Sequence, residues 1–91
     1  MYPYLTSFIA GYLNQDYQIY GDTIEDIVEF FISNNDENDA IELNHDIKKF
    51  MEDNTNKLDD EFKKLYGFDC DPKLWDHTTE SFFNTILQNI K

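Results

Sequence analysis

The sequence predicts an all-α fold: a compact bundle of about five helices with an ordered aromatic loop between the first two. Three observations carry that reading. Apolar residues recur at the i, i+3, i+4 spacing of a helix in five separate segments, and no stretch alternates with period two for long enough to make a strand. Residues that favour helix N-caps stand ahead of most of those segments. The chain of 91 residues, 41% hydrophobic and 16% aromatic, suffices for one small core and a single domain, 1–91.

The first helix opens at Pro3, whose missing N–H is harmless in a first turn, and Leu5, Phe8, Ile9, Tyr12 and Leu13 follow on one face. Its end is expected near Leu13 or Asn14. Residues 12–21 then lead to the second helix. Tyr12, Tyr17 and Tyr20, with Ile19, are too much apolar surface for a free linker, so the three tyrosines are expected to be largely buried. Asn14, Gln15 and Asp16 bring side-chain hydrogen bonds to a folded-over loop, and Gly21 would permit a positive φ before the next cap. Tyr12, Gln15, Asp16, Tyr17, Tyr20 and Gly21 are therefore assigned to the scaffold, as a plug that docks the first helix on the others.

Thr23 is the expected N-cap of the second helix, with Asp26 in the capping-box position. Ile24, Ile27, Val28 and Phe31 form its apolar face as far as about Ser33, opposite Glu25, Asp26 and Glu29, with Phe30 at the edge. Residues 33–36 read as a turn and a cap for a third helix, from about Glu37 to Asp53. There Ala40, Leu43, Ile47, Phe50 and Met51 face inward, and Asp39, Glu42, Asp46 and Asp53 form a solvated stripe on the other side. Asn54 to Asn56 break the pattern and are expected to cap a short fourth helix. Leu58, Phe62, Leu65 and Tyr66 point inward from it, and Gly67 falls where a C′ glycine would. A structured loop, 68–79, holds Cys70, Asp71, Pro72 and Trp75. The last helix starts at Thr78 or Thr79, with Phe82, Phe83, Ile86, Leu87 and Ile90 as its stripe.

Charge is distributed unevenly. The net value is -12, from 19 acidic residues and seven lysines, without a single arginine. Residues 1–47 hold ten acids and no basic side chain, whereas residues 48–91 hold nine acids and seven lysines. Such a surface repels nucleic acid and anionic membrane and steers basic partners toward itself. No apolar run approaches the roughly 20 residues of a membrane span, and the N-terminus lacks the basic start of a signal peptide. One cysteine allows neither a disulfide framework nor a CxxC metal pair, which points to a reducing, cytoplasmic compartment.

Searching for chemistry gives little. Three glycines, at 11, 21 and 67, cannot build a nucleotide fingerprint. Calcium-loop spacing fails from Asp53, where Leu58 and Lys64 take ligand or glycine positions, and from Asn34, where Asp39 and His45 do. His45 and His77 are lone histidines, and Cys70 reads as a small buried hydrophobe. No enzyme activity, cofactor or metal is expected.

Two stretches carry a resemblance. Tyr2-Pro3-x-Leu5-x-x-Phe8 is followed by Gly11-Tyr12-Leu13-Asn14-Gln15-Asp16-Tyr17 and by Tyr20-Gly21-Asp22-Thr23-x-Glu25-Asp26-x-Val28. Leu65-Tyr66-Gly67-Phe68-x-x-Asp71-Pro72 is a second, looser match. Together they resemble the contact-dependent growth inhibition immunity (CdiI) proteins, in their small all-helical subgroup. Members often have His before Gln-Asp and Trp after it, where this chain has Asn14 and Tyr17, and Pro after the capping residue, where it has Ile24. Tyr17 still supplies an aromatic wedge, and Asn14 a polar loop residue.

The resemblance implies a cytoplasmic bacterial protein, monomeric when free. It would bind one-to-one the cognate toxin domain of a large secreted effector, commonly a basic nuclease, and would bind neither nucleic acid nor membrane. An acidic surface suits that task, because it covers a phosphate-binding face without being a substrate. Asp22, Glu25, Asp26, Glu29, Asp39, Glu42 and Asp46 are the candidate toxin-binding acids, with Phe30 as an aromatic anchor. Successive helices usually neighbour one another, so the two acidic faces are expected to merge. Reversing Glu25, Glu29, Glu42 and Asp46 to lysine should slow association with the fold intact. The same change at Asp59, Asp60, Asp76 and Glu80 should matter less. Two other functions fit the composition: an acidic helical adaptor that masks a nucleic-acid-binding protein by imitating duplex charge, and a hydrolase with an unrecognised carboxylate site.

Overall fold

A computed structural model describes residues 2–14 and 17–90. Five α-helices form where the apolar spacing places them: α1 (Pro3–Tyr12), α2 (Ile24–Asn34), α3 (Glu37–Asp53), α4 (Leu58–Tyr66) and α5 (Thr79–Ile90). Two single turns of 3-10 helix, η1 (Tyr17–Ile19) and η2 (Pro72–Trp75), lie in the loops before α2 and α5. The fold is all-α, with no strand among the described residues. Gln15 and Asp16, part of the predicted scaffold loop, lie outside the described residues.

Caps set the boundaries. Thr23 Oγ1 accepts from Asp26 N at 3.1 Å and opens α2, and Asp36 Oδ1 accepts from Asp39 N at 2.9 Å and opens α3. Ahead of α5, Thr78 and Ser81 bond reciprocally: Ser81 N donates to Thr78 Oγ1 at 3.1 Å and Thr78 N to Ser81 Oγ at 3.0 Å. This is a capping box with serine where Glu or Gln is usual.

The packing order departs from the sequence order. Helix α5 is the centre, laid against α2, α3 and α4, and α1 packs on α3. The expectation that α2 and α3 lie side by side is not met, since neither has the other as a principal neighbour. Phe8, Phe50, Phe62, Phe82 and Phe83 are fully buried in one core, and each stabilises the fold by about 1.5–3 kcal/mol relative to exposure. Phe50 is its hub. The ring lies 5.2 Å from Tyr2, 5.4 Å from Phe83, 6.2 Å from Tyr66 and 6.5 Å from Phe62.

Local expectations fail in five places. Leu65 is 52% exposed, because α4 buries only the narrow stripe of Leu58, Phe62 and Tyr66. Asn54 closes α3, its side chain and N–H both donating to Phe50 O, and α4 starts behind Lys57 without a side-chain cap. No glycine has a positive φ. Gly21 is required for close approach instead: a Cβ there would sit 2.5 Å from the Cβ of Asp26. Gly67, at φ -61 and ψ -20, continues the right-handed turn of α4 rather than reversing it. Finally, Tyr12, Tyr17 and Tyr20 are half-buried, not largely buried, and pack against the margin of the core.

Candidate partner-binding surface

The loop tyrosines still join elements. Tyr12 stacks on Phe8, meets Phe31 edge-on at 5.4 Å and lies 4.9 Å from Tyr20. Its hydroxyl accepts from Asn35 Nδ2 at 3.0 Å. Tyr17 meets Trp75 edge-on at 4.8 Å, so η1 and η2 are held together, and Trp75 stacks on Phe82 of α5. The aromatic loop thus ties α1 to α2 on one side and to the α4–α5 connection on the other.

Asp22, Glu25, Asp26 and Glu29 are all exposed, on α2 or just ahead of it. Glu25 and Asp26 occupy the first turn, where their charge also favours the helix dipole. Phe30 is 38% exposed, resting on Tyr20 at 5.1 Å and on Tyr12 at 6.2 Å. It is both supported by the loop and open to solvent at its outer edge. On α3, Asp39 and Glu42 are half-buried.

Asp46 departs from the predicted solvated stripe. It is buried, and its Oδ2 accepts from Tyr4 N at 2.7 Å and Leu5 N at 3.1 Å. These are free donors of the first turn of α1, whose N-cap Tyr2 offers no side-chain bond. Pro3 has no N–H, and Thr6 N bonds Tyr2 O, so the first turn is fully satisfied. One heptad further along α3, Asp53 Oδ2 accepts from the Tyr2 hydroxyl at 2.8 Å. Asp46 and Asp53 therefore clamp the start of α1 onto α3. The charge of Asp46 faces a helix N-terminus.

Asp59 has a similar task. It accepts from Thr79 N at 3.1 Å, tying α4 to the start of α5. The Thr79 hydroxyl, and then its N–H, hold the Asp59 carboxyl below the usual carboxylate range, with Lys73 adding to the effect. A reversal set containing Asp46, or a control set containing Asp59, would disturb the fold rather than the surface alone.

Cys70 and His77 are tied into the structure. Burial, with the charges of Asp71 and Asp69, pushes the Cys70 thiol up to about 12, so the thiolate nucleophile is scarce at neutral pH. His77 Nδ1 lies 2.9 Å from Ser81 Oγ, but that oxygen is engaged in the α5 capping box, and its hydroxyl reaches Thr78 O at 3.2 Å. Among the described residues no group of three or more His, Cys, Asp or Glu could hold a metal ion. None of the described helices is long and apolar enough to cross a membrane.

Sequence reasoning missed several exposed apolar side chains. Phe68 is 94% exposed, Ile19 72%, Leu74 67% and Ile41 46%. Phe68 and Leu74 fall in a loop whose Cys70 and Pro72 do turn inward, which hid their exposure. Ile41 did carry a signal: it follows Ala40 on α3 and stands off the Ala40–Leu43–Ile47–Phe50 face.

The fold and surface define a class: a small, strongly acidic helical protein whose cysteine is buried, while acidic and apolar side chains stand open to solvent. The family model described as CdiI immunity protein matches residues 1–90, and the chain belongs to that family. It is thereby a toxin-neutralising immunity protein whose partner is a cognate toxin domain. No curated protein and no solved structure matches the chain.

Proposed function

We propose that this protein neutralises a basic nuclease toxin domain in the cytoplasm, by forming a one-to-one complex through its acidic surface and without turnover. Family membership supplies the toxin partner. The observation that carries the finer reading is the run of ten acids and no basic residue in residues 1–47, with Asp22, just ahead of α2, and Glu25, Asp26 and Glu29 on it exposed to solvent. A nuclease must be positive where it holds phosphate, so such a face steers encounter and occupies the substrate's electrostatic footprint. Phe30, held on Tyr12 and Tyr20, supplies apolar contact at the edge of the acids. Free protein is monomeric in this reading and binds neither nucleic acid nor membrane.

The test is a titration against the C-terminal domain of the effector encoded immediately upstream. Its nuclease activity should vanish at an equimolar ratio, with a single complex of one copy each by light scattering. Protection by substoichiometric amounts would show turnover and overturn the binding mechanism, and an unaffected nuclease would overturn the proposal.

A further inference from the structure

A groove of about 630 Å³ opens where the end of α2, the start of α3 and the end of α5 converge. Its apolar lining is Ile32, Ala40, Ile41 and Ile90, and its rim carries Asp36 and Glu37. Ile32 and Ile41 are 37% and 46% exposed, while Ile90 is nearly closed off and forms the floor. Ile32 and Ile41 stand off the faces that their helices bury, so core packing does not account for them. The volume falls within the roughly 300–1,000 Å³ range of clefts that take a ligand group.

Among the described residues that line the groove, the carboxylates Asp36 and Glu37 set the sign of the charge. No lysine lines it among the described residues, and His45 is the single basic-type side chain at its edge. Helix α2 ends there without a basic residue in its last turn, so the negative end of its dipole is unopposed. The Phe30 and Phe31 carbonyls accept from Asn34 Nδ2 and Asn35 Nδ2, which caps them without adding charge. The positive start of α3 is already occupied by its own acids: Asp36 Oδ1 takes Asp39 N, and Glu37 and Asp39 stand in the first turn. An anion has no place here. A large apolar side chain flanked by cations does.

We infer that this groove receives an apolar side chain of the toxin domain, flanked on that domain's surface by Lys or Arg that meet Asp36 and Glu37. The inference rests on the reading of the partner as a basic toxin domain. It adds a desolvated anchor to a surface that would otherwise steer well and hold weakly, since a few buried contacts dominate interface energies. It also moves the centre of the interface from Phe30 toward the α2–α3 turn.

The probe is the same C-terminal effector domain, bound to full-length variants by surface plasmon resonance. Ile32→Ala and Ile41→Ala should each raise the dissociation rate about tenfold, with little change in association. Ile41→Lys should raise Kd by about 100-fold or more, because it puts a cation against a basic partner. Ile41→Leu should stay within about threefold of wild type. Leu65→Ala, which trims a comparably exposed leucine on α4, should not change Kd. Circular dichroism melts confirm folding of each variant, and Ile41→Ala decides the case if Ile41→Lys melts early. Folded Ile32→Ala and Ile41→Ala with wild-type dissociation rates would overturn the groove and leave the immunity reading standing. Failure of the wild-type protein to bind the domain would overturn both.

Discussion

Asp46 belongs to α3 in sequence and to α1 in function. Burial of a carboxylate is costly unless hydrogen bonds meet it, and here two backbone donors and a helix dipole do so. Asp46→Ala removes both bonds and leaves Tyr4 N and Leu5 N without a protein acceptor. It should cost about 2–4 kcal/mol in urea unfolding, whereas Asp46→Asn, which keeps an acceptor, should cost about half as much. Nothing local to Asp46 announces this, because its partners are 41 and 42 residues away and helical periodicity places it among the surface acids. A signal did exist at the other end: α1 begins at Tyr2-Pro3, with no Ser, Thr, Asp or Asn to cap it, so its donors had to be met from elsewhere. Cys70 is a simpler residue, read correctly as a buried hydrophobe. With its thiol held up near 12 by burial, it should resist a disulfide reagent in the native protein and react stoichiometrically once urea unfolds it.

Elements that declare themselves locally were legible. The five helices have apolar stripes at helical spacing, and Thr23, Asp36 and Thr78 mark three starts by their own side chains. What the sequence hides is how helices contact each other. The α2–α5 and α1–α3 pairings are set by non-local burial, and so chain order does not give the packing order. Gly21 makes the same point, since its small size serves the first turn of α2 and not a left-handed φ. Gly21→Ala should therefore destabilise by about 1–3 kcal/mol through overpacking against Asp26, seen as an earlier melt. Ionisable groups at element junctions give stability a pH window. Cys70 rises from 9.0, mainly through burial. Tyr2 and Tyr66 rise from 10.0, again mainly through burial, with Asp53 adding to the first and Asp46 to the second. Groups raised on folding contribute fully below their unfolded values, so urea midpoints should fall from about pH 9 upward as each titrates. Asp59 is lowered from 3.8 by its Thr79 donors, so its contribution holds above that value and is lost as pH falls through the folded one. Asp59→Asn should remove that part of the acid loss.

Charge acts on the molecule as a whole, and it acts twice. A net -12 on 91 residues repels itself, and among the described residues a single ion pair, the exposed Lys49–Asp53 at 3.5 Å, offsets it. Salt shortens the screening length from about 10 Å at 0.1 M to about 3 Å at 1 M. Raising salt should therefore stabilise the free protein against urea, by weakening repulsion in the compact state. The same screening should slow association with a basic toxin domain, since steering depends on unscreened fields. Opposite signs in the two measurements separate a long-range field from a contact effect: lost short-range contacts would change the dissociation rate and leave the salt slope of association alone. Asp22→Lys with Glu29→Lys tests where that field originates, because both acids are exposed and neither caps a helix as Asp46 and Asp59 do. The pair should lower the association rate at least about tenfold at low salt and flatten its salt dependence. Asp60→Lys with Glu80→Lys makes the same change in net charge on α4 and α5, also at exposed positions. If the α4–α5 pair slowed association as much as the α2 pair, total charge alone would steer the encounter, and the acidic face of α2 would lose its assignment.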